Sequence, residues 1–520
     1  MQRKCWTRML NRERVVVIGA GIGGLVAALE LAVAGCEVTV VDRAPRPGGK
    51  MRTITVEGQT LDAGPTVFTM RWVFDDIFDK AGASLERSIT LKPVDVLARH
   101  AWSETSRLDL FADMKKSADA IGVFAGQAEA RRYIEFCKRS QTTYETLKNS
   151  YILACKPTPL SLTAGAGLKG LADLWRISPF TTLWNALGHF FHDARLRQLF
   201  GRYATYCGSS PFEAPATLML IAHVEREGVW IIEGGMRCLA EALESLARSR
   251  GVTFRYGCEA KDIAVKGGRV CGVTLASGEH IECSATIVNA DSAALSRGLF
   301  GPEVAKAITA QQGARSLSAV TWAVVGEARG FPLTRHNVFF SGDYKAEFDD
   351  ILLRKQMPAA PTVYLCAEDR DGEAARSSGP ERIFLLINAP PTGDVHAFDK
   401  PEIQSCAKRA FGLLQRCGLT IEFNPETAVT TTPRDFAQLF PGTGGSLYGR
   451  ASHGWAASFA RPTAKTLLEG LYLAGGSVHP GPGVPMAAIS GRLAAAQILS
   501  DMRSTHQFHQ MATPGGTSTR

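Results

Sequence analysis

Residues 14–42 read RVVVIGAGIGGLVAALELAVAGCEVTVVD, and their order decides the fold of everything around them. Val15, Val16, Val17 and Ile18 form a short apolar run, as expected of a strand covered on both faces. Leu25, Ala28, Leu29 and Ala32 then recur at helical spacing, Gly35 is a good helix stop, and Glu37 to Val41 is a second β-branched run closed by Asp42. This is a βαβ unit, and its turn carries GxGxxG. Gly19 permits the tight turn, Gly21 lets the backbone approach a pyrophosphate, and Gly24 lets helix and strand pack closely. Ile22 and Gly23 complete the loop at the helix N-terminus, whose positive end attracts phosphate. Asp42, followed by Arg43, is placed for the ribose hydroxyls. A dinucleotide is predicted, and this stretch alone does not choose NAD from FAD.

Composition bounds the rest. The chain has 520 residues, 45% hydrophobic and 21% charged, the balance of a folded globular protein. The net charge of +8 could favour an anionic lipid or ligand, but it is too diffuse to argue for nucleic acid. Twelve cysteines are scattered without a CxxC pair or zinc spacing, so no disulfide framework or metal is expected and a cytoplasmic setting fits. The basic start runs into glycines instead of a cleavage site, so no signal peptide is expected. No run of about 18 apolar residues occurs, so any membrane contact is expected to be peripheral.

Two further glycine-rich stretches stand far apart: Arg46-Pro47-Gly48-Gly49-Lys50-Met51-Arg52-Thr53 with Leu61 to Phe68, and Leu473 to Met486. The first pair resembles the second glycine motif and following turn of the FAD-dependent amine-oxidase and phytoene-desaturase superfamily. On that resemblance Gly49, Lys50 and Arg52 bring N–H groups and cations to the diphosphate, while Gly64, Pro65, Thr66 and Val67 run under the isoalloxazine. In the last stretch Gly475 and Gly476 expose backbone to the flavin, Pro485 suits a first helical turn, and Val484 and Met486 supply apolar ring contacts. The helix, read as Val484 to Leu499, would place positive potential where reduction deposits negative charge. No cysteine lies between Gly475 and Met486, so the FAD is expected to be non-covalent.

The whole resembles the bacterial carotenoid desaturases of the phytoene-desaturase type, over nearly all of 14–502. Residues 62–74 and 228–236 look most similar to the hydroxyneurosporene and methoxyneurosporene desaturases, which introduce the 3,4 double bond into 1-hydroxycarotenoids. Glu233 stands where many phytoene desaturases would have Pro, which favours the later step. The resemblance implies an α/β fold: a Rossmann-like FAD domain interleaved with a mixed α+β substrate domain and a helical, membrane-facing region. The expected boundaries are FAD-domain parts at 14–90, 223–300 (with an antiparallel meander) and 436–503, a helical region at 91–222, a substrate domain at 301–435 and a frayed tail at 504–520. A lipophilic carotenoid, a peripheral place on the inner or photosynthetic membrane, and oxygen or quinone as electron acceptor follow as expectations. Phytoene desaturation, carotenoid isomerisation, amine or protoporphyrinogen oxidation, and redox-silent isoprenoid-lipid carriage remain as alternatives.

The catalytic base is open, with Glu233 the candidate against a helix-capping or surface role. The aromatic segment 160–206, with Trp184 and Phe190, suits either interfacial helices or a buried core. His189 and His192 lie one turn apart but lack further ligands for a metal, and His479 suits a structural histidine as well as a proton carrier.

Overall fold

The buried runs of the opening stretch lie in the middle of a parallel sheet. In the computed structural model, which describes residues 13–158, 180–308, 313–371, 379–457 and 459–511, strand β1 (Arg14–Ile18) leads into helix α1 (Ile22–Val33) and strand β2 (Glu37–Asp42). Three strands from distant parts of the chain complete the sheet: β3 (Thr253–Tyr256), β4 (Ala285–Val288) and β5 (Leu471–Leu473). The order is β3-β2-β1-β4-β5, all parallel, the doubly wound arrangement in which ligands bind beyond the strand C-termini. Helix α2 (Val484–Met511) follows β5 and is longer than the sequence suggested. It crosses α1 at small residues: a Cβ added to Gly491 would lie 2.2 Å from the Gly23 carbonyl oxygen.

A second, mostly antiparallel sheet of eight strands forms the other wall. Its path runs from Thr420–Phe423 through Ser318–Arg329, Glu381–Ala389, Val363–Ala367, His336–Phe339 and Val96–Ala101 to Arg107–Phe111, and Val429–Thr431 pairs with Ser318–Arg329. Residues 91–111, inside the stretch read as helical, are therefore largely strand. They alternate short apolar and polar residues; Val96–Ala101 pairs locally with Arg107–Phe111 and, across more than 200 residues, with His336–Phe339, while Leu91–Pro93 pairs with Val229–Ile232.

The meander is present at Ala260–Lys266, Arg269–Leu275 and His280–Glu282. The run read as one strand from Ile281 to Val288 is split, because the chain leaves the meander after Glu282 and enters the parallel sheet at Ala285 as β4. A second core gathers Tyr133, Phe136, Phe191, Phe200 and Tyr203 with Leu97, Leu108, Leu110 and Val338 of the antiparallel sheet. No helix among the described residues is long and apolar enough to cross a membrane.

Candidate active site

The three glycine stretches converge. Gly19 adopts φ +102°, where only glycine is unstrained, and its N–H donates to the Val41 carbonyl. Gly48 donates to Ala20 O at 2.9 Å, and Gly21 and Gly48 form a parallel bridge. From the third stretch, the Gly475 nitrogen lies 2.9 Å from where a Gly23 Cβ would stand. A Cβ at Gly23 or Gly48 would strike protein backbone at 2.9 and 2.7 Å, so these glycines let the loops close on one another and leave bare main chain at the helix N-terminus, an arrangement that fits a dinucleotide.

Asn289, at the end of β4, ties the loops together and was not singled out from sequence. Its Nδ2 donates to Gly19 O at 3.2 Å, and its Oδ1 lies 2.7 Å from a Gly23 Cβ position and 2.8 Å from that of Gly475. One asparagine after a strand carries no signal of its own. Asp42 ends β2 as expected, and its carboxylate accepts N–H bonds from Ala20 and Ala44, both at 2.7 Å. Each oxygen keeps a lone pair for a ribose hydroxyl.

The cations near the second glycine stretch hold protein carbonyls and a hydroxyl. Lys50 Nζ donates to Leu447 O and lies 5.2 Å from the Phe440 ring centroid, while Arg52 donates to Thr431 Oγ1 at 3.0 Å. Arg43 donates to the Gln438 and Leu439 carbonyls, at the C-terminal end of the helix Pro433–Leu439, where a cation is favoured. Burial lowers the Lys50 pKa, opposed by the Asp291 charge. These side chains fasten residues 431–447 over the second glycine loop, and Gly49 stays close to Gly21, with 3.2 Å from its Cβ position to the Gly21 Cα.

Beyond the cradle lies a cavity of about 600 Å³, within the range of small-molecule sites. Gly64, Pro65, Thr66 and Val67 line one side and Val484, Pro485 and Met486 another, so the segments expected around an isoalloxazine face one space. A Cβ on Gly64 would meet Lys50 O at 1.9 Å, which explains the glycine there. Gly475 sits at φ +113° and donates to Ser490 Oγ, and Gly476 follows it toward the cavity turn. The remaining wall is largely apolar, with Leu147, Ile152, Leu218, Ile221, Val224 and Leu386 among its residues.

Three expectations are corrected or narrowed. Glu233 is 59% exposed, lies 3.6 Å from Lys92 Nζ and is absent from the cavity wall, so it is no base for chemistry there. It follows the strand Val229–Ile232, whose last residue is buried. Trp184 packs on Phe212 under Arg197, and Phe190 packs on Phe136 and Phe191, so the aromatic segment packs into the core from Trp184 onward, whereas Phe180 is exposed. Residues 160–179 of that segment lie outside the described residues. His189 and His192 are exposed, and no metal-holding cluster occurs among the described residues. His479 is buried against Tyr151, and burial pulls its pKa down to about 4, so it is neutral at ordinary pH.

A family model described as flavin containing amine oxidoreductase matches residues 22–499. The chain belongs to this family. Its cradle accepts a dinucleotide and its family is flavin-containing, so the cofactor of this amine-oxidoreductase family member is FAD. The chain is 52% identical to a hydroxyneurosporene desaturase of Rubrivivax gelatinosus, over 98% of each chain. It is 45% identical to one of Cereibacter sphaeroides, over 94% of this chain and 98% of that one. A 1-hydroxycarotenoid 3,4-desaturase of a Flavobacterium is 29% identical, over 93% and 98%. Among solved structures, a putrescine oxidase covers 94% of this chain and 99% of its own at a TM-score of 0.58 and 14% identity, a likeness of fold alone.

Proposed function

We propose that this flavoprotein is a carotenoid desaturase that introduces the 3,4 double bond into acyclic 1-hydroxy- or 1-methoxycarotenoids. The observation that carries the reading is the apolar cavity bounded by Gly64–Val67 and Val484–Met486, taken with 52% identity to a hydroxyneurosporene desaturase over nearly the whole chain. FAD supplies a two-electron acceptor. When bound, FAD would accept the C4 hydrogen together with its bonding pair as hydride, and C3 would release a proton, leaving its C–H electron pair to form the C3–C4 π bond. C4 is next to the polyene, so the charge left behind is delocalised and the protein's task is mainly to place the chain. The Gly64–Val67 turn and the first turn of α2 form the walls that position it, and the apolar lining excludes water.

A carotenoid substrate would be drawn from a bilayer, and two residues that line the cavity, Phe180 and Trp455, are 68% and 44% exposed and pack edge to face at 5.3 Å. That rim supports peripheral attachment to the membrane holding the substrate. Oxygen or a quinone is the proposed reoxidant.

Anaerobic incubation of the yellow holoprotein with 1-hydroxyneurosporene in liposomes, with and without quinone, tests the reading. The flavin should bleach and a carotenoid absorbing at longer wavelength should appear. A colourless protein would favour the lipid-carrier alternative, and a flavoprotein inert to every 1-oxygenated carotenoid would overturn the assignment.

A further inference from the structure

One part of the cavity wall is polar in a way the apolar substrate chain does not need. Arg202, Tyr206, Glu225 and Tyr364 all line it. They come from three elements: the 3-10 turn Arg202–Cys207, the helix Leu220–Glu227 and the strand Val363–Ala367. The Arg202 guanidinium lies over two aromatic faces, 5.2 Å from the Tyr206 centroid and 5.4 Å from that of Tyr364. Its Nη1 donates to Tyr206 Oη at 3.1 Å. Its one side-chain hydrogen bond among the described residues is that to Tyr206, although guanidinium carries five N–H donors, and the Glu225 carboxylate acts on it only through its charge. Glu225 is occupied differently: its carboxylate accepts from Tyr203 Oη at 2.7 Å. Beyond its one bond to Tyr206, Arg202 thus presents further donors to a space whose lining is largely apolar.

The position of the group is as informative as its chemistry. Tyr364 Oη lies 2.6 Å from Thr66 Oγ1, within the turn assigned to the cofactor ring. Arg202 is therefore one side chain removed from the reaction centre. In a 1-oxygenated carotenoid, one methylene separates the oxygen-bearing carbon from the C3–C4 bond. The oxygen must consequently lie beside the reaction centre, where Arg202 is, and away from the distant end of the cavity. A donor-only group suits both an alcohol and an ether, since each offers lone pairs and only the alcohol can donate.

We infer that Arg202, held by Tyr206, receives the oxygen on C1 of the substrate and sets the preference for 1-hydroxy- and 1-methoxycarotenoids over carotenoids with a plain hydrocarbon end. This rests on the desaturase reading and adds to it the residue that selects the substrate. The cation sits on the saturated side of the reacting bond, so the charge developing during oxidation spreads along the polyene, away from it.

The test compares kcat/KM of the holoenzyme on 1-hydroxy-, 1-methoxy- and unoxygenated acyclic carotenoids of equal polyene length. Wild type should favour the two oxygenated substrates. Arg202→Met should lower kcat/KM on both by about tenfold or more, the scale of a lost hydrogen bond from a charged donor, while the unoxygenated substrate loses far less. Tyr206→Phe keeps the ring and frees the guanidinium, so it should shift the same ratio in the same direction more weakly; it serves if Arg202→Met does not fold. FAD content and melting temperature report folding separately. An unchanged substrate ratio in folded, FAD-loaded variants would overturn the inference, as would equal loss on all three substrates or a wild type indifferent to the oxygen. A wild type inactive on every carotenoid would instead defeat the desaturase reading itself.

Discussion

Two glycines three residues apart in the fingerprint do different work. A Cβ on Gly24 would stand 2.0 Å from Gly19 O, a rigid backbone atom, whereas one on Gly21 would meet the Asn289 side-chain amide at 2.8 Å. Gly24→Ala should therefore damage folding itself, with lower yield and melting temperature. Gly21→Ala should fold and bind FAD about tenfold or more weakly, because the pyrophosphate loses close backbone contact; flavin absorbance after gel filtration separates the two outcomes. Glu347 supports a second prediction. It is buried, accepts from the Thr362 N–H and hydroxyl at 3.1 and 2.6 Å and from Asn388 Nδ2 at 3.2 Å, and so holds an asparagine of the cavity wall. Burial pushes its pKa up to about 7 despite those bonds. Between the usual glutamate range and 7 the folded protein keeps a proton that the unfolded chain has released. The stabilisation is complete at acid pH below the unfolded value and is lost as pH rises through the folded one. Glu347→Gln should flatten the fall in urea stability between about pH 5 and about pH 8, and an identical slope in wild type and variant would refute the argument.

At the scale of elements, α1 and α2 must approach closely for the first and third glycine stretches to meet. Gly491 allows it, since its Cβ position is 2.2 Å from Gly23 O and 3.1 Å from Ala27 N. Gly491→Val should push the helices apart, cost about 1–3 kcal/mol or more as overpacking does, and displace Val484–Met486 from the cavity. Stability and bound flavin should then fall together in thermal melts and absorbance spectra, and full flavin retention would contradict the coupling. The parallel core was legible because Val15–Ile18, Leu25–Ala32 and Glu37–Val41 each show one unmixed period, and local geometry alone fixes what a glycine turn does there. The strands within 91–111 were not legible because, although Val96–Ala101 and Arg107–Phe111 form a local hairpin, the partners His336–Phe339 and Val229–Ile232 that build them into sheets are supplied by topology. The split at Cys283–Ser284 escaped for a related reason: an apolar run cannot say which sheet it joins. The glycines of the site announce themselves because their function is backbone approach. Arg202, Tyr206, Glu225 and Tyr364 do not, because nothing in the chain order tells an arginine that a cavity lies between it and a strand 160 residues on.

The whole molecule sets a parallel nucleotide-binding layer against a mostly antiparallel sheet, with Tyr364, Phe384, Leu386 and Asn388 of the latter forming the far wall of the cavity. At the aromatic end of the cavity a long hydrocarbon substrate is proposed to enter. There Phe180 and Trp455 are exposed while still lining the cavity, and Phe459 sits behind them at 6.4 Å from the Trp455 ring. Aromatic side chains at such a rim gain by entering the headgroup boundary of a bilayer, and a net charge of +8 favours an anionic surface. Replacing both Phe180 and Trp455 by Asp should reduce binding to anionic liposomes by about tenfold or more, as expected for withdrawing two large apolar groups from the interface, without loss of FAD. Turnover of substrate dispersed in detergent should survive, while turnover from liposomes should fall, because only delivery has been impaired. Trp184→Asp and Phe190→Asp should behave in the opposite sense, lowering the melting temperature through their core partners Phe212 and Phe136. Equal liposome binding by wild type and the Phe180/Trp455 double variant would refute the proposed membrane contact at this rim.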